Sequence, residues 1–121
     1  MNGKSYAITK ITVDYPPSAN RYWRHNRGRI HRSNEANAYR DHVALICQTA
    51  DIEPIDGEIA VTLRFYRPAR RGDLDNCFKQ VFDSLQGHAY HNDSQIAEIH
   101  ATRDEDKHCP RVEIEISHLE G

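Results

Sequence analysis

Residues 58–66 alternate without a break. Ile59, Val61, Leu63 and Phe65 fall on one side of an extended chain, and Ala60, Thr62, Arg64 and Tyr66 fall on the other. Successive side chains of a strand point to opposite faces, so this segment has one apolar face to bury and one that tolerates water. A chain containing such a strand needs a sheet covered on one side, and two helical runs can supply the cover. Residues 34–50 carry Ala36, Tyr39, Val43, Ile46, Cys47 and Ala50 at helical spacing, with Ser33 or Asn34 as the N-cap. Residues 74–86 carry Leu74, Phe78, Val81, Phe82 and Leu85 on one face, with Gly87 as the C-terminal stop.

The remaining segments add strands. Residues 5–15 are rich in β-branched and aromatic types and end at Pro16-Pro17, since proline cannot donate a ladder hydrogen bond. Residues 96–103 read as another strand. Val112, Ile114 and Ile116 alternate with Glu113, Glu115 and Ser117 in a last one, and Asp104–Pro110 between them reads as a charged hairpin loop. Residues 19–32 show no period and are expected to form a long loop, or a short hairpin around Asn26-Arg27-Gly28. The expected fold is α+β: a single domain over residues 1–121, with a mixed β-sheet of about four to five strands and two helices packed on one face.

With 38% apolar and 28% charged residues, the composition is that of a folded globular protein. No apolar run approaches the roughly 18 residues of a membrane span, and Met1-Asn2-Gly3-Lys4 leads into no signal-peptide core, so the expectation is a cytoplasmic protein with no membrane partner. Cys47, Cys77 and Cys109 lie too far apart for a Cys-x-x-Cys zinc site. Their odd number and spacing fit reduced thiols. Only His88 and His91, among eight histidines, are closely spaced, and no second ligand pair accompanies them.

The formal net charge of −2 conceals a segregated distribution. Arg21, Arg24, Arg27, Arg29 and Arg32 crowd one stretch, Arg64, Arg67, Arg70 and Arg71 another, and acids dominate the C-terminal end. A phosphate backbone meets the local field rather than the net charge, and the guanidinium fork suits bidentate phosphate contact. Tyr22 and Trp23 lie among these arginines, where they can either stack on nucleobases or pack on the core.

Chemistry is concentrated where the second arginine cluster meets the second helix. Asp73 and Asp75, at i and i+2, point the same way in an extended segment and offer the hard oxygen ligands that Mg²⁺ or Mn²⁺ prefers. Lys79 follows Asp75 by four residues, on the same side of a helix, where it can neutralise charge on a phosphate. Asp93, in the turn Asn92-Asp93-Ser94-Gln95, can return to the same site as a third ligand. Aspartates also collect at helix starts as caps, and Asp-x-Asp by itself does not separate the two roles. A calcium EF-hand is excluded by Cys77 and Phe78, and a nucleotide-binding P-loop by the absence of its glycine-rich motif. The set points to a metal-dependent enzyme acting on phosphates.

Four blocks in order, Pro16-Pro17-Ser18-Ala19-Asn20-Arg21-Tyr22-Trp23-Arg24-His25-Asn26-Arg27-Gly28-Arg29, Ala38-Tyr39-Arg40-Asp41, Arg71-Gly72-Asp73-Leu74-Asp75-Asn76 with Lys79, and Asn92-Asp93-Ser94-Gln95, resemble the RusA family of Holliday junction resolvases. The likeness runs from about residue 5 to residue 117. It implies a homodimeric endodeoxyribonuclease that uses Mg²⁺, with Mn²⁺ as a substitute and no other cofactor, and that associates with the nucleoid through DNA. Its partner would be branched DNA, a four-way junction cut by paired symmetric nicks leaving 5′-phosphate and 3′-hydroxyl ends. The resemblance implies Asp73, Asp75 and Asp93 as catalytic metal ligands, with Lys79 as the catalytic lysine. The basic blocks would be the DNA-binding residues: Arg21, Arg24, Arg27, Arg29, Arg70 and Arg71. Two alternatives remain, a nuclease for flaps or other branched DNA and a catalytically inactive junction-binding protein. Asn92 stands where some relatives carry a second aspartate, and Gly72 interrupts the basic run before Asp73.

Overall fold

The computed structural model describes residues 8–69 and 77–119. The predicted ligands Asp73 and Asp75, the arginines Arg70 and Arg71, and the expected start of the second helix at Leu74 lie outside the described residues.

The alternating segment forms β4 (Ile59–Arg67), whose side chains at 59, 61, 63 and 65 are all buried. It lies in a four-stranded sheet with β1 (Ile8–Asp14), β5 (Ile96–Glu105) and β6 (Arg111–His118), in the order β1-β6-β4-β5. β6 is antiparallel to both neighbours. Leu63 and Ile11 each sit opposite Ile114, while Phe65 and Val13 each sit opposite Val112, so one continuous apolar face crosses three strands. The single domain is α+β, and the sheet is mixed because β5 runs parallel to β4.

The helices cover that apolar face. α2 (Asn34–Thr49) begins at Ser33, whose hydroxyl accepts from the Ala36 N–H at 3.1 Å, and buries Ala36, Tyr39, Val43 and Cys47. Tyr39 ties it to β1, donating its hydroxyl to the Asp14 carbonyl at 2.7 Å. α3 (Phe78–Leu85) buries Val81, Phe82 and Leu85, and Gly87 follows it with φ +88, a left-handed conformation in which a β-carbon would be strained. α3 is the crossover between the parallel strands β4 and β5, which places it on the covered face. Among the described residues, no helix is long and apolar enough to cross a membrane.

One expectation changes. The segment 104–110 is not a hairpin loop, because β5 and β6 do not pair: β4 lies between them. The apolar content of the strands explains this. β6 has three buried residues in alternation and needs a neighbour on each side, whereas β5 is mostly exposed and takes the edge. The connection crosses the end of β4, where the Asp106 N–H donates to the Arg67 carbonyl at 2.8 Å. For residues 19–32 the structure selects the second of the two expectations, the short hairpin around Asn26-Arg27-Gly28, formed by β2 (Trp23–Asn26) and β3 (Arg29–Arg32) and preceded by a helical turn, α1 (Ala19–Tyr22). Arg27 and Gly28, with φ of 52 and 77, make its two-residue turn.

Candidate nucleic-acid interface

A cleft of about 800 Å³ lies between the β2–β3 hairpin and α3. Trp23, His25 and Ile30 line the hairpin side, Lys79, Phe82 and Asp83 the helix side, and Asp93 also lines it. Two of the residues anticipated from sequence, Lys79 in the first turn of α3 and Asp93 in the turn before β5, therefore line the same cleft. Both are exposed.

The turn that presents Asp93 is held by side chains on either side of it. Residues 93–95 form one turn of 3₁₀ helix, with Asn92 as N-cap: its side-chain Oδ1 accepts from the Ser94 N–H at 2.9 Å. Gln95 Oε1 accepts from the N–H groups of His91 and Asn92 at 2.7 and 2.9 Å, while its Nε2 donates to the carbonyls of Ile55 and Gly57. The Asp93 N–H donates to Gln86 Oε1 at 2.9 Å, which anchors the turn to the end of α3. The Asp93 carboxylate, in contrast, accepts no hydrogen bond among the described residues. It is a free oxygen donor in the cleft and fits as one ligand of a hard divalent ion. Asn92 is occupied in capping.

The hairpin separates its arginines into two kinds. Arg21, at its base, gives two hydrogen bonds to Glu35 Oε1, at 3.1 and 3.2 Å, and Arg32 is paired within the protein. Arg24, Arg27 and Arg29 are exposed and pair with no acid among the described residues, so their guanidinium groups are available to phosphate. The aromatics also divide. Tyr22 is fully buried, and the half-buried Trp23 packs edge-on against it, with ring centroids 4.8 Å apart, while lining the cleft.

Reading the sequence missed Asp83. It lies four residues beyond Lys79 on α3, and its carboxylate collects partners from three other elements. Arg32 forms a fork, donating from Nε to Oδ2 at 2.8 Å and from Nη2 to Oδ1 at 2.7 Å. The Tyr22 hydroxyl donates to Oδ2 at 2.5 Å, and Arg40 Nε approaches the same oxygen at 3.6 Å. Burial works against the charge on Asp83, but the Arg32 fork, the Tyr22 hydroxyl and the Arg40 charge outweigh it and hold the carboxyl below its usual range. Burial and the bond to Asp83 push Tyr22 up to about 12. The only sequence signal was an acid one helical turn after the lysine. Its partners are 43 to 61 residues away, beyond the reach of any spacing rule.

The other reactive groups are placed without chemistry. Cys47 and Cys77 are buried, which raises both thiols, and Cys109 is exposed in the β5–β6 connection; all three are free. Among the described residues no three metal-binding side chains come together, and of the anticipated ligands Asp93 alone lies within them.

Residues 14–117 match the family model described as "Endodeoxyribonuclease RusA". The chain is 47% identical over 77 residues to the crossover junction endodeoxyribonuclease RusA of Escherichia coli K12, a stretch covering 62% of this chain and 64% of that relative. It is 42% identical over 88 residues to the protein of the same name from E. coli O139:H28, covering 71% and 73%. A relative from Enterobacteria phage 82, also named as that endonuclease, is 46% identical over 77 residues. The match thus spans a little under two thirds of the length of the K12 and phage relatives.

Proposed function

The chain belongs to the RusA endodeoxyribonuclease family, and from this premise we propose that it is a divalent-metal-dependent endonuclease that resolves four-way DNA junctions as a homodimer. The observation that carries the reading is the shared cleft: an uncommitted ammonium and an uncommitted carboxylate, on Lys79 and Asp93, face Trp23, His25 and Ile30 of a hairpin whose Arg24, Arg27 and Arg29 are exposed beside the cleft. Structural acids and lysines at such spacing ordinarily pair off or cap helices. These two have done neither among the described residues.

In this reading Arg24, Arg27 and Arg29 grip the phosphate backbone, with Arg70 and Arg71 assigned to the same task. The face of Trp23 offers a surface for a base or sugar at the mouth of the cleft. Asp93 would hold Mg²⁺ or Mn²⁺ together with Asp73 and Asp75. When bound, the ion supplies Lewis acidity at the scissile phosphate. Lys79 places a positive charge where negative charge grows on the phosphoryl oxygens, and it does so from a helix whose position is set by packing. Hydrolysis leaves a 5′-phosphate and a 3′-hydroxyl. Two copies related by a two-fold axis would present two such clefts to the near-symmetric strands of a junction, which accounts for paired nicks.

The test is cleavage of an end-labelled synthetic four-way junction, with and without Mg²⁺ or Mn²⁺, by the wild type, Asp75→Asn and Asp93→Asn. Linear duplex and flap DNA serve as competitors. Paired symmetric nicks that need the metal and both acids are expected. Binding without a cut under either metal would make this a junction-binding protein, and preferential cutting of flaps would make it a different nuclease.

A further inference from the structure

The hairpin that carries Arg24, Arg27 and Arg29 is a separate two-stranded sheet: among the described residues β2 and β3 pair only with each other and share no ladder with the four-stranded sheet. A lone two-stranded hairpin is marginal in water, so its position on the molecule depends on side-chain attachments. Among the described residues, the ion pair from the hairpin to α3 is that of Arg32 with Asp83. Asp83 lies one turn from Lys79 on the same helix face, and both line the cleft. Both of its oxygens accept hydrogen bonds from within the protein, Oδ1 from Arg32 and Oδ2 from Arg32 and Tyr22, so the carboxylate is engaged in holding the hairpin.

We propose that Asp83 is a positioning residue, which registers the phosphate-gripping hairpin against Lys79 and Asp93 so that the bound phosphodiester lies over the cleft. This inference rests on the nuclease reading above. The physical logic separates binding from cutting. A loosened hairpin keeps its exposed arginines and still attracts the DNA backbone, because that attraction is long-ranged and tolerant of geometry. Cutting is not tolerant: a misplacement of about 1 Å can cost about a hundredfold in rate. The fork geometry matters as well, since a planar guanidinium on a carboxylate fixes orientation, while a lysine in the same place makes only a point contact.

Trp23 is the sole tryptophan of the chain and lies at the start of β2, so its fluorescence reports the docking of the hairpin without any need for activity. The experiment compares wild type, Asp83→Asn and Arg32→Lys in three measurements: junction affinity without metal, single-turnover cleavage at saturating enzyme, and acrylamide quenching of Trp23. For Asp83→Asn, affinity within about threefold of wild type, cleavage slower by about 30- to 100-fold and stronger quenching are expected. Arg32→Lys should follow the same pattern with about a tenfold loss of rate, and it carries the test alone if Asp83→Asn does not fold. Wild-type cleavage in a folded variant would overturn the proposal, as would a parallel loss of binding and cleavage. Slow cleavage with unchanged quenching would also overturn it, because Asp83 would then act without moving the hairpin. If the wild type itself cuts no junction, the nuclease reading fails, and quenching alone then decides whether Asp83 docks the hairpin.

Discussion

Two arginine–carboxylate clusters in this molecule use the same chemistry for different ends. In the cleft, Asp83 gathers Arg32, Arg40 and Tyr22, and the partners come from three different elements. On the face of the sheet away from the helices, Arg111 joins Asp106 at 2.8 Å and Glu113 at 3.0 Å, five and two residues away, and lies over the Tyr66 ring at 3.9 Å. Asp106 also accepts from the N–H groups of Cys109 and His108, which hold its carboxyl low together with Arg111. The second cluster closes a loop that the chain has already brought near. The first joins elements that nothing in the local sequence brings near, and it does so beside the candidate catalytic groups. Sequence distance, and not the number of charged bonds, distinguishes a cluster that orients a site from one that finishes a turn.

The sharpest break between the two regions concerns cleavage. Asp93→Asn, in the cleft, should slow junction cutting on the order of a thousandfold, whereas Glu113→Gln, in the loop-closing cluster, should leave the rate within about twofold of wild type. End-labelled junction assays at equal enzyme concentration check both. The next effect is on binding. Replacing Arg24, Arg27 and Arg29 together by Gln should lower the slope of log affinity against log salt by about 2 to 3, since each phosphate contact contributes about 0.9. Arg111→Gln, whose charge is consumed within the protein, should leave that slope unchanged.

Stability offers a third contrast. Asp83→Asn should cost roughly 2–3 kcal/mol in denaturant unfolding, less than a fully buried pair would, because the Arg32 side chain is 37% exposed. The loss should also depend on pH. The folded value of Asp83 lies below its ordinary 3.8, so its contribution is present in full above that value and disappears as pH falls through the lowered one. The difference in Tm between wild type and Asp83→Asn should therefore hold steady from neutral pH to about pH 4 and close below it. A gap that stays constant down to pH 2 would assign the loss to packing. The smallest expected effect is Ser33→Ala. It removes the N-cap of α2 and a hydroxyl donor to the Arg21 carbonyl, and should cost about 1 kcal/mol with little change in cleavage.

Much of the architecture could be read from periodicity. The half-buried strand at 59–67, the helix starting after Ser33 and the alternation at 112–116 stand where their spacing put them, because burial of one face depends on neighbours within a few residues. Lys79 and Asp93 could also be picked out as candidates, one from its spacing to an acid pair and the other from a polar turn. Their meeting in one cleft could not. The order β1-β6-β4-β5, which removes the expected hairpin, follows from competition among strands for the interior, a property of the whole sheet.

Local pattern thus determined which segments of this chain become strands and helices, since period and capping act over a turn or two of backbone. Only the tertiary structure decided that Tyr22 belongs to the core, that Arg32 is paired with Asp83 while Arg24, Arg27 and Arg29 face solvent, and that Asp83 stands at the junction of hairpin and helix. These outcomes depend on contacts between residues up to 61 positions apart, where burial and charge pairing are set by the packed fold and leave no periodic trace in the sequence.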